Sequence, residues 1–251
     1  MKMNKILIIE IPYGGLGDNL FFSNIPRIAK ESGKFDKVFI SKYSFERHPD
    51  NTELVWKLNP FVDGFSNEHG IKISIENAIK KVENSKEINL LDQIMFDFGL
   101  DNGKRLNEPE IYYEPKYIEK YNQIIFDPNF LSWIGNVTKE DFMTYFKKNN
   151  LNFDAIMKQR SDKFMFVPTN KTIFIETPTL KDFCDLIFSA KKLYCLTSGT
   201  ATLVSALGKS ATVFFGKEQH KVFQHTKNNE YIKIPTYLIN KIKRRFYLGG
   251  G

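Results

Sequence analysis

Ile6-Leu7-Ile8-Ile9-Glu10-Ile11-Pro12-Tyr13-Gly14-Gly15-Leu16-Gly17-Asp18-Asn19-Leu20 is the stretch that decides the fold. A short β-branched run, stopped by proline and then by a glycine cluster, is how a strand buried on both faces of a parallel sheet reads. Helical spacing follows in Ile25, Ile28 and Ala29, with Asn19 or Ser23 as the cap and Ser32-Gly33 as the stop. The run from Lys37 to Ser41 is apolar again, so the first forty residues predict strand, helix, strand. In such a unit the glycine loop lies at the carboxyl end of the first strand, where bare backbone amides approach an anion closely.

Working outward, the alternation continues. The pattern predicts helices over 52–58 and 74–83, a strand or turn at 62–65, and a strand and a helix within 89–98. The stretch 102–115, rich in Asn, Glu and Pro, reads as a linker. Beyond it the spacing predicts strands at 123–126, 164–167, 173–176, 193–196 and 211–215, the last of them closing the series. Helices are predicted over 139–148, 179–190 and 202–207. Two successive blocks of this kind argue for an α/β chain of two doubly wound halves, 1–115 and 116–251, with a cleft between them.

Composition narrows the partners. With 251 residues, 42% of them hydrophobic, the chain can bury a sizeable core. Its net charge of +7 implies a long-range pull on phosphate groups. The basic residues are scattered lysines without aromatic interleaving, so nucleic acid is not an expected partner. The densest run is Lys241, Lys243, Arg244 and Arg245 near the tail. No stretch approaches the roughly 18 apolar residues of a membrane span, and the N-terminus reads as a buried strand rather than a secretory leader. Cys184 and Cys195 lack a CxxC partner and read as buried reduced thiols, in keeping with a cytoplasmic protein. His48 and His69 show no metal spacing, and no metal is expected.

Two loops carry candidate chemistry. In the first, Gly15, Gly17 and Asn19 surround Asp18. The string does not satisfy GxGxxG, and Ser41 and Lys42 stand where a dinucleotide enzyme has an acid after the second strand, which argues against a dehydrogenase. Asp18 has two readings that residue type leaves open. It caps the following helix by accepting backbone N–H bonds, or it takes a proton from an attacking hydroxyl at the lip of the cleft. The second loop, Leu196-Thr197-Ser198-Gly199-Thr200-Ala201-Thr202, again runs from a strand end through glycine into a helix. Hydroxyls, bare amides and a positive helix end make a phosphate cradle there, or else an ordinary cap. Lys217, His220 and His225 follow Gly216 and either neutralise phosphate or lie on the surface. Trp56 and Trp133 read as packing residues, with stacking on a base or sugar ring open for Trp133. Asp97 and Asp101 read as surface or capping carboxylates.

On these loops the sequence resembles glycosyltransferase family 9, the ADP-heptose type of lipopolysaccharide heptosyltransferases. Gly17, Asp18, Pro26 and Arg27 match the first-loop pattern. Thr179-Leu180 through Leu186 to Ala190, Leu193 to Leu196, Ser198-Gly199, Leu203, Ala206-Leu207-Gly208-Lys209 and Phe214-Phe215-Gly216 follow the order of that family's donor-site segment. The sequence departs from the family where Thr197 replaces an Asp, where Thr202 replaces a His, and where Gly135 to Thr138 hold no matching Lys, though Lys139 stands nearby.

The resemblance implies the GT-B fold, two Rossmann-like domains facing across a cleft. It implies a metal-independent inverting transferase that moves a heptose or other hexose-type sugar from a nucleotide-diphosphate donor, with no further cofactor. It makes Asp18 the general base and gives the diphosphate to Ser198, Gly199 and Thr200, with Gly15, Gly17, Asn19, Thr197, Thr202 and Lys217 as the remaining donor contacts. The acceptor it implies is a cell-surface polysaccharide or glycolipid, and the basic tail is expected to touch the anionic inner leaflet. Two other readings stand beside this one: a nucleotide-sugar epimerase, and a non-catalytic nucleotide-sugar-binding protein.

Overall fold

A computed structural model describes residues 5–83, 85–160 and 162–237. The basic tail 241–245 and the terminal glycines lie outside the described residues.

The deciding stretch folds as β1 (Ile6–Glu10) and α1 (Leu16–Phe21), followed by α2 (Ile25–Glu31) and β2 (Lys37–Ser41). The expected single helix is therefore two, and the first begins at Leu16 rather than at Asn19 or Ser23. The reason is local: Gly15 is extended at the N-cap, and the Asp18 carboxylate in the first turn accepts the Gly15 N–H at 3.1 Å. A short α3 (Pro49–Asn51) runs on as a wide π-turn (Thr52–Lys57). Next come β3 (Gly64–Ser66), β4 (Ile71–Lys72), α4 (Ile75–Val82) and α5 (Leu90–Asp97). The stretch expected to hold a strand and a helix is helix α5 alone, because Asn89 and Asp92 form a capping box that starts it at once.

The four strands make one parallel sheet in the order β3-β2-β1-β4. The second sheet holds β5 (Ile124–Asp127), β6 (Ala155–Met157), β7 (Phe174–Ile175), β8 (Lys192–Leu196), β9 (Thr212–Phe215) and β10 (Glu230–Lys233). Its order is β10-β9-β8-β5-β6-β7, again all parallel. Helices α6 (Lys139–Lys148), α7 (Leu180–Ser189) and α8 (Gly199–Ala206) connect it. Counted within its own half this is 3-2-1-4-5-6, the doubly wound order whose crevice opens where the winding reverses. Here that point lies between β5 and β8. The strand expected at 164–167 is instead loop, touching the sheet by one bridge from Phe164 to Asn129. The strand expected to be last, β9, is followed by β10.

The two halves are not loosely hinged. One hydrophobic cluster runs from Leu7, Ile9 and Trp56 through Phe183, Leu193 and Val213. A second, built on Phe126, Phe142, Phe146 and Phe214, fills the far side of the second sheet and absorbs much of the chain's phenylalanine. The linker is pinned to both halves. The Glu110 N–H donates to Ser23 at 2.7 Å and its carboxylate binds Arg27, while Glu108 accepts Ser205 at 2.6 Å and Thr226 at 2.8 Å.

Helix α1 packs on α8 through glycine. A Cβ at Gly199 would stand 3.0 Å from the Gly17 nitrogen and 3.2 Å from the Leu16 Cβ, and one at Gly17 would stand 3.3 Å from the Gly199 Cα. Both helices can start at the same place only because neither carries a side chain at the crossing. Gly199→Ala is accordingly expected to lower stability by roughly 1–3 kcal/mol as the helices are forced apart. Urea unfolding checks this, and an unchanged midpoint would mean that α1 and α8 do not touch there.

Candidate functional site

The glycine loop after β1 is held by buried polar side chains. Asn51 donates to the Gly14 carbonyl at 2.8 Å, and Asn19 donates to the Gly15 carbonyl at 2.8 Å while accepting the Trp56 indole N–H at 2.7 Å. Asn19 is thus a buried fastener of the loop. It does not line the cavity, because both ends of its amide are spent inward.

Loop and helix start present Gly15, Gly17 and Asp18 to a cavity of about 580 Å³. The second half presents Thr197, Ser198, Gly199, Thr200 and Thr202 to the same cavity. Of the ten positions expected from the sequence, these eight line the cavity, while Asn19 lies behind the loop and Lys217 lies elsewhere. Its backbone carbonyl accepts the Asn136 N–H at 2.6 Å, just past the crossing where Gly135 and Gly216 lie backbone to backbone. The ammonium group pairs instead with neighbouring Glu218 at 3.5 Å on the surface.

Asp18 is the acid at this lip. Burial raises its pKa above the ordinary carboxylate value, opposed by the Gly15 N–H bond and the nearby Arg47 charge and assisted by Glu76. The same carboxylate accepts the Gly15 N–H at the start of α1, as the capping reading expects, and lines the cavity. Tyr13, at the rim, donates its hydroxyl to Glu76.

Opposite it, helix α8 begins without a side-chain cap. The hydroxyls of Thr197 and Ser198 are buried and have no partner among the described residues. Unpartnered buried hydroxyls beside an uncapped helix start are costly unless a ligand satisfies them. The Thr200 hydroxyl is spent, donating to Asp127 at 2.7 Å. What Thr200 offers a ligand is its place in the first turn of α8.

Three residues of the site were not legible. Asp127 ends β5 fully buried, Arg160 follows the three-residue strand β6, and Arg47 stands in the loop after β2. His225 was read only as a phosphate neutraliser or a surface residue. It is buried, and burial lowers its pKa to about 4, so the ring is neutral near pH 7. Its Nδ1 lies 3.3 Å from the Phe223 carbonyl, and its Nε2 has no partner among the described residues. His220 lies away from this cavity, paired with Glu83 at 2.8 Å. Trp56 is core, and Trp133 is half-exposed with its ring edge toward His220. Arg27 binds Glu110 and Glu31, and His69 stacks on Tyr43.

Compared with solved structures, the fold is that of GT-B glycosyltransferases. TibC, an iron-containing dodecameric glycosyltransferase from enterotoxigenic E. coli, aligns with TM-score 0.57 and 13% identity over 85% of this chain and 58% of its own. A glycosyltransferase family 9 protein from Veillonella parvula aligns at 0.56 and 9% identity, over 98% of this chain and 89% of its own. The E. coli heptosyltransferase WaaC, solved with ADP, aligns at 0.52 and 10% identity, over 98% and 100%. The chain spans 58–64% of the length of the TibC chains. Among the described residues no group of three or more His, Cys, Asp and Glu side chains gathers to hold a metal. No protein-family model and no curated protein matches the sequence. At these identities the likeness establishes the fold.

The buried neutral His225 sets a pH dependence. Its folded pKa, about 4, lies below the unfolded value of about 6.5, so the unfolded chain alone binds a proton between them. Its stabilising contribution is full above about pH 6.5 and is lost as pH falls toward 4, by roughly 3 kcal/mol. Urea midpoints of wild type and His225→Gln compared at pH 7 and pH 4.5 check this: the wild type should lose more, and equal losses would place the ring in water.

Proposed function

We propose that the protein is an inverting glycosyltransferase that moves a sugar from a nucleotide-diphosphate donor to an acceptor hydroxyl. One observation carries the reading: a carboxylate whose pKa is raised by burial and an uncapped helix start with unpartnered hydroxyls face one cavity from the two halves of the fold. The similarity in fold to heptosyltransferases, one of them solved with ADP, supports it.

In this reaction Asp18 takes the proton of the acceptor hydroxyl. The freed oxygen attacks the anomeric carbon from the face opposite the diphosphate, and the carbon–oxygen bond to the phosphate breaks. Negative charge then grows on the leaving diphosphate, where preorganised donors lower the barrier most. The amides at the start of α8 and the Thr197 and Ser198 hydroxyls are placed to receive it. A raised pKa suits the base, because a carboxylate of ordinary acidity draws a proton from a hydroxyl only weakly. The departures at Thr197 and Thr202 leave the identity of the nucleotide to experiment. The acceptor we propose is a surface polysaccharide or glycolipid assembled on the cytoplasmic side of a membrane. We propose that the contact with that membrane is peripheral; among the described residues no helix is long and apolar enough to cross one.

Thermal-shift screening of ADP-, GDP-, UDP- and CMP-sugars identifies the donor, and product analysis with and without acceptor separates transfer from epimerisation. With the donor so identified, Asp18→Asn is expected to lower kcat by about 10²–10⁴-fold while the donor dissociation constant stays within about twofold. In the wild type the acid limb of kcat/KM should fall above the ordinary aspartate pKa, because burial raises Asp18. Full turnover by Asp18→Asn would remove Asp18 from the mechanism.

A further inference from the structure

A departing diphosphate needs full positive charge nearby, and a helix start supplies only about half a charge. The sequence offered Lys217, which the Asn136 bridge holds outside the cavity. Among the described residues the cavity is lined by two arginines, Arg47 and Arg160, and two histidines, His48 and His225. His225 is neutral near pH 7. The His48 Nδ1 accepts the Asp50 N–H at 3.2 Å, in the loop that also carries Arg47. Arg47 lies on the side of Asp18, whose charge it moderates. Arg160 alone stands on the side of α8.

Its position is built. The Arg160 guanidinium donates from Nη2 to the Asp127 Oδ2 at 2.8 Å, and the Thr200 hydroxyl donates to that same oxygen at 2.7 Å. Asp127 is fully buried at the end of β5, and its other oxygen accepts the Asn129 backbone and side-chain N–H groups at 3.2 and 2.8 Å. The Arg160 backbone N–H donates to the Asn129 Oδ1 at 2.9 Å, and the guanidinium carbon lies 4.8 Å above the Phe183 ring. One buried carboxylate therefore ties a cation to the first turn of the helix whose start carries the unpartnered Thr197 and Ser198 hydroxyls. The arginine side chain stays 42% exposed, so it is open to a ligand.

We infer that Arg160 is the diphosphate-binding cation of this cavity and that Asp127 is its positioning residue, fixing it in register with the start of α8. The inference rests on the proposed reaction for the identity of the anion. A planar guanidinium suits the task, since it can keep one donor on a carboxylate while others meet phosphate oxygens. Asp127 orients the group at the cost of one of its five donors.

Calorimetric titration with inorganic pyrophosphate tests it on the full chain. Arg160→Ala should weaken binding by at least about tenfold, the range of a charge-assisted hydrogen bond, and Arg160→Lys should recover part of the loss. Asp127→Asn should weaken binding in the wild-type background and add nothing in the R160A background, a non-additivity that a general loss of stability does not produce. R160A leaves the buried Asp127 with only its Thr200 and Asn129 donors, so it is expected to fold with a lowered thermal transition, and the titrations are run below that transition. Equal pyrophosphate affinity in R160A and wild type overturns the assignment and leaves the proposed reaction standing. Pyrophosphate binding that depends on Arg160, in a protein that transfers no sugar from any donor of the panel, upholds the assignment and overturns the reaction.

Discussion

The meeting of Gly17 with Gly199 is the constraint on which the rest of the molecule depends. Two helices that start at strand ends in different sheets can share one cavity only if their first turns come within van der Waals reach. A β-carbon at Gly199 would lie 3.0 Å from the facing backbone nitrogen, tight enough that the neighbouring helix would have to give way by a few tenths of an ångström. Once that contact is made, the apolar faces behind it close into one cluster drawn from both halves, and the linker is pinned at Glu108 and Glu110. The geometry resists wide opening, because separating the halves would expose a shared core as well as break hydrogen bonds. The cavity opens at one end of that packed interface.

Around that mouth the two sides are treated differently by their surroundings. On the side of α1, burial without a full set of donors leaves Asp18 reluctant to ionise. On the side of α8, Asp127 is more deeply buried yet surrounded by donors from Asn129, Arg160 and Thr200. The number of donors around each carboxylate separates an acid suited to moving a proton from an anchor suited to holding a cation. Of the six buried side-chain polar atoms left without a partner among the described residues, three, the Thr197 and Ser198 hydroxyls and the His225 Nε2, belong to residues of the cavity wall. Such groups mark where binding energy for a polar ligand is stored.

Much of this was legible in the amino-acid order, for reasons that can be stated residue by residue. Helix α6 and strand β2 were read to the residue, because Thr138 with Asp141 spells a capping box and Lys37 to Ser41 is a bounded apolar run. Both glycine bends were found because each sits between a buried strand and a helix. Strands β4 and β6 have two and three residues, too short for any period to show, and both were missed, whereas the two-residue β7 was read within 173–176. Arg160, which follows β6, was lost with it. The strand expected at 164–167 failed because its aromatic residues point to the Phe-rich cluster from a loop, so the pattern recorded burial without pairing. Lys217 and Asn19 were misplaced for a tertiary reason: the Gly135–Gly216 crossing and the Trp56 bond are long-range facts that no local pattern encodes.

The most direct measurement is a crystal structure of the protein soaked with the nucleoside diphosphate that it binds best. The account predicts phosphate oxygens within hydrogen-bond distance of the backbone amides at the start of α8 and of the Thr197 or Ser198 hydroxyl, with the Asp18 carboxylate across the cavity from them. A nucleotide seated elsewhere on the molecule, or a diphosphate turned away from α8, would contradict it.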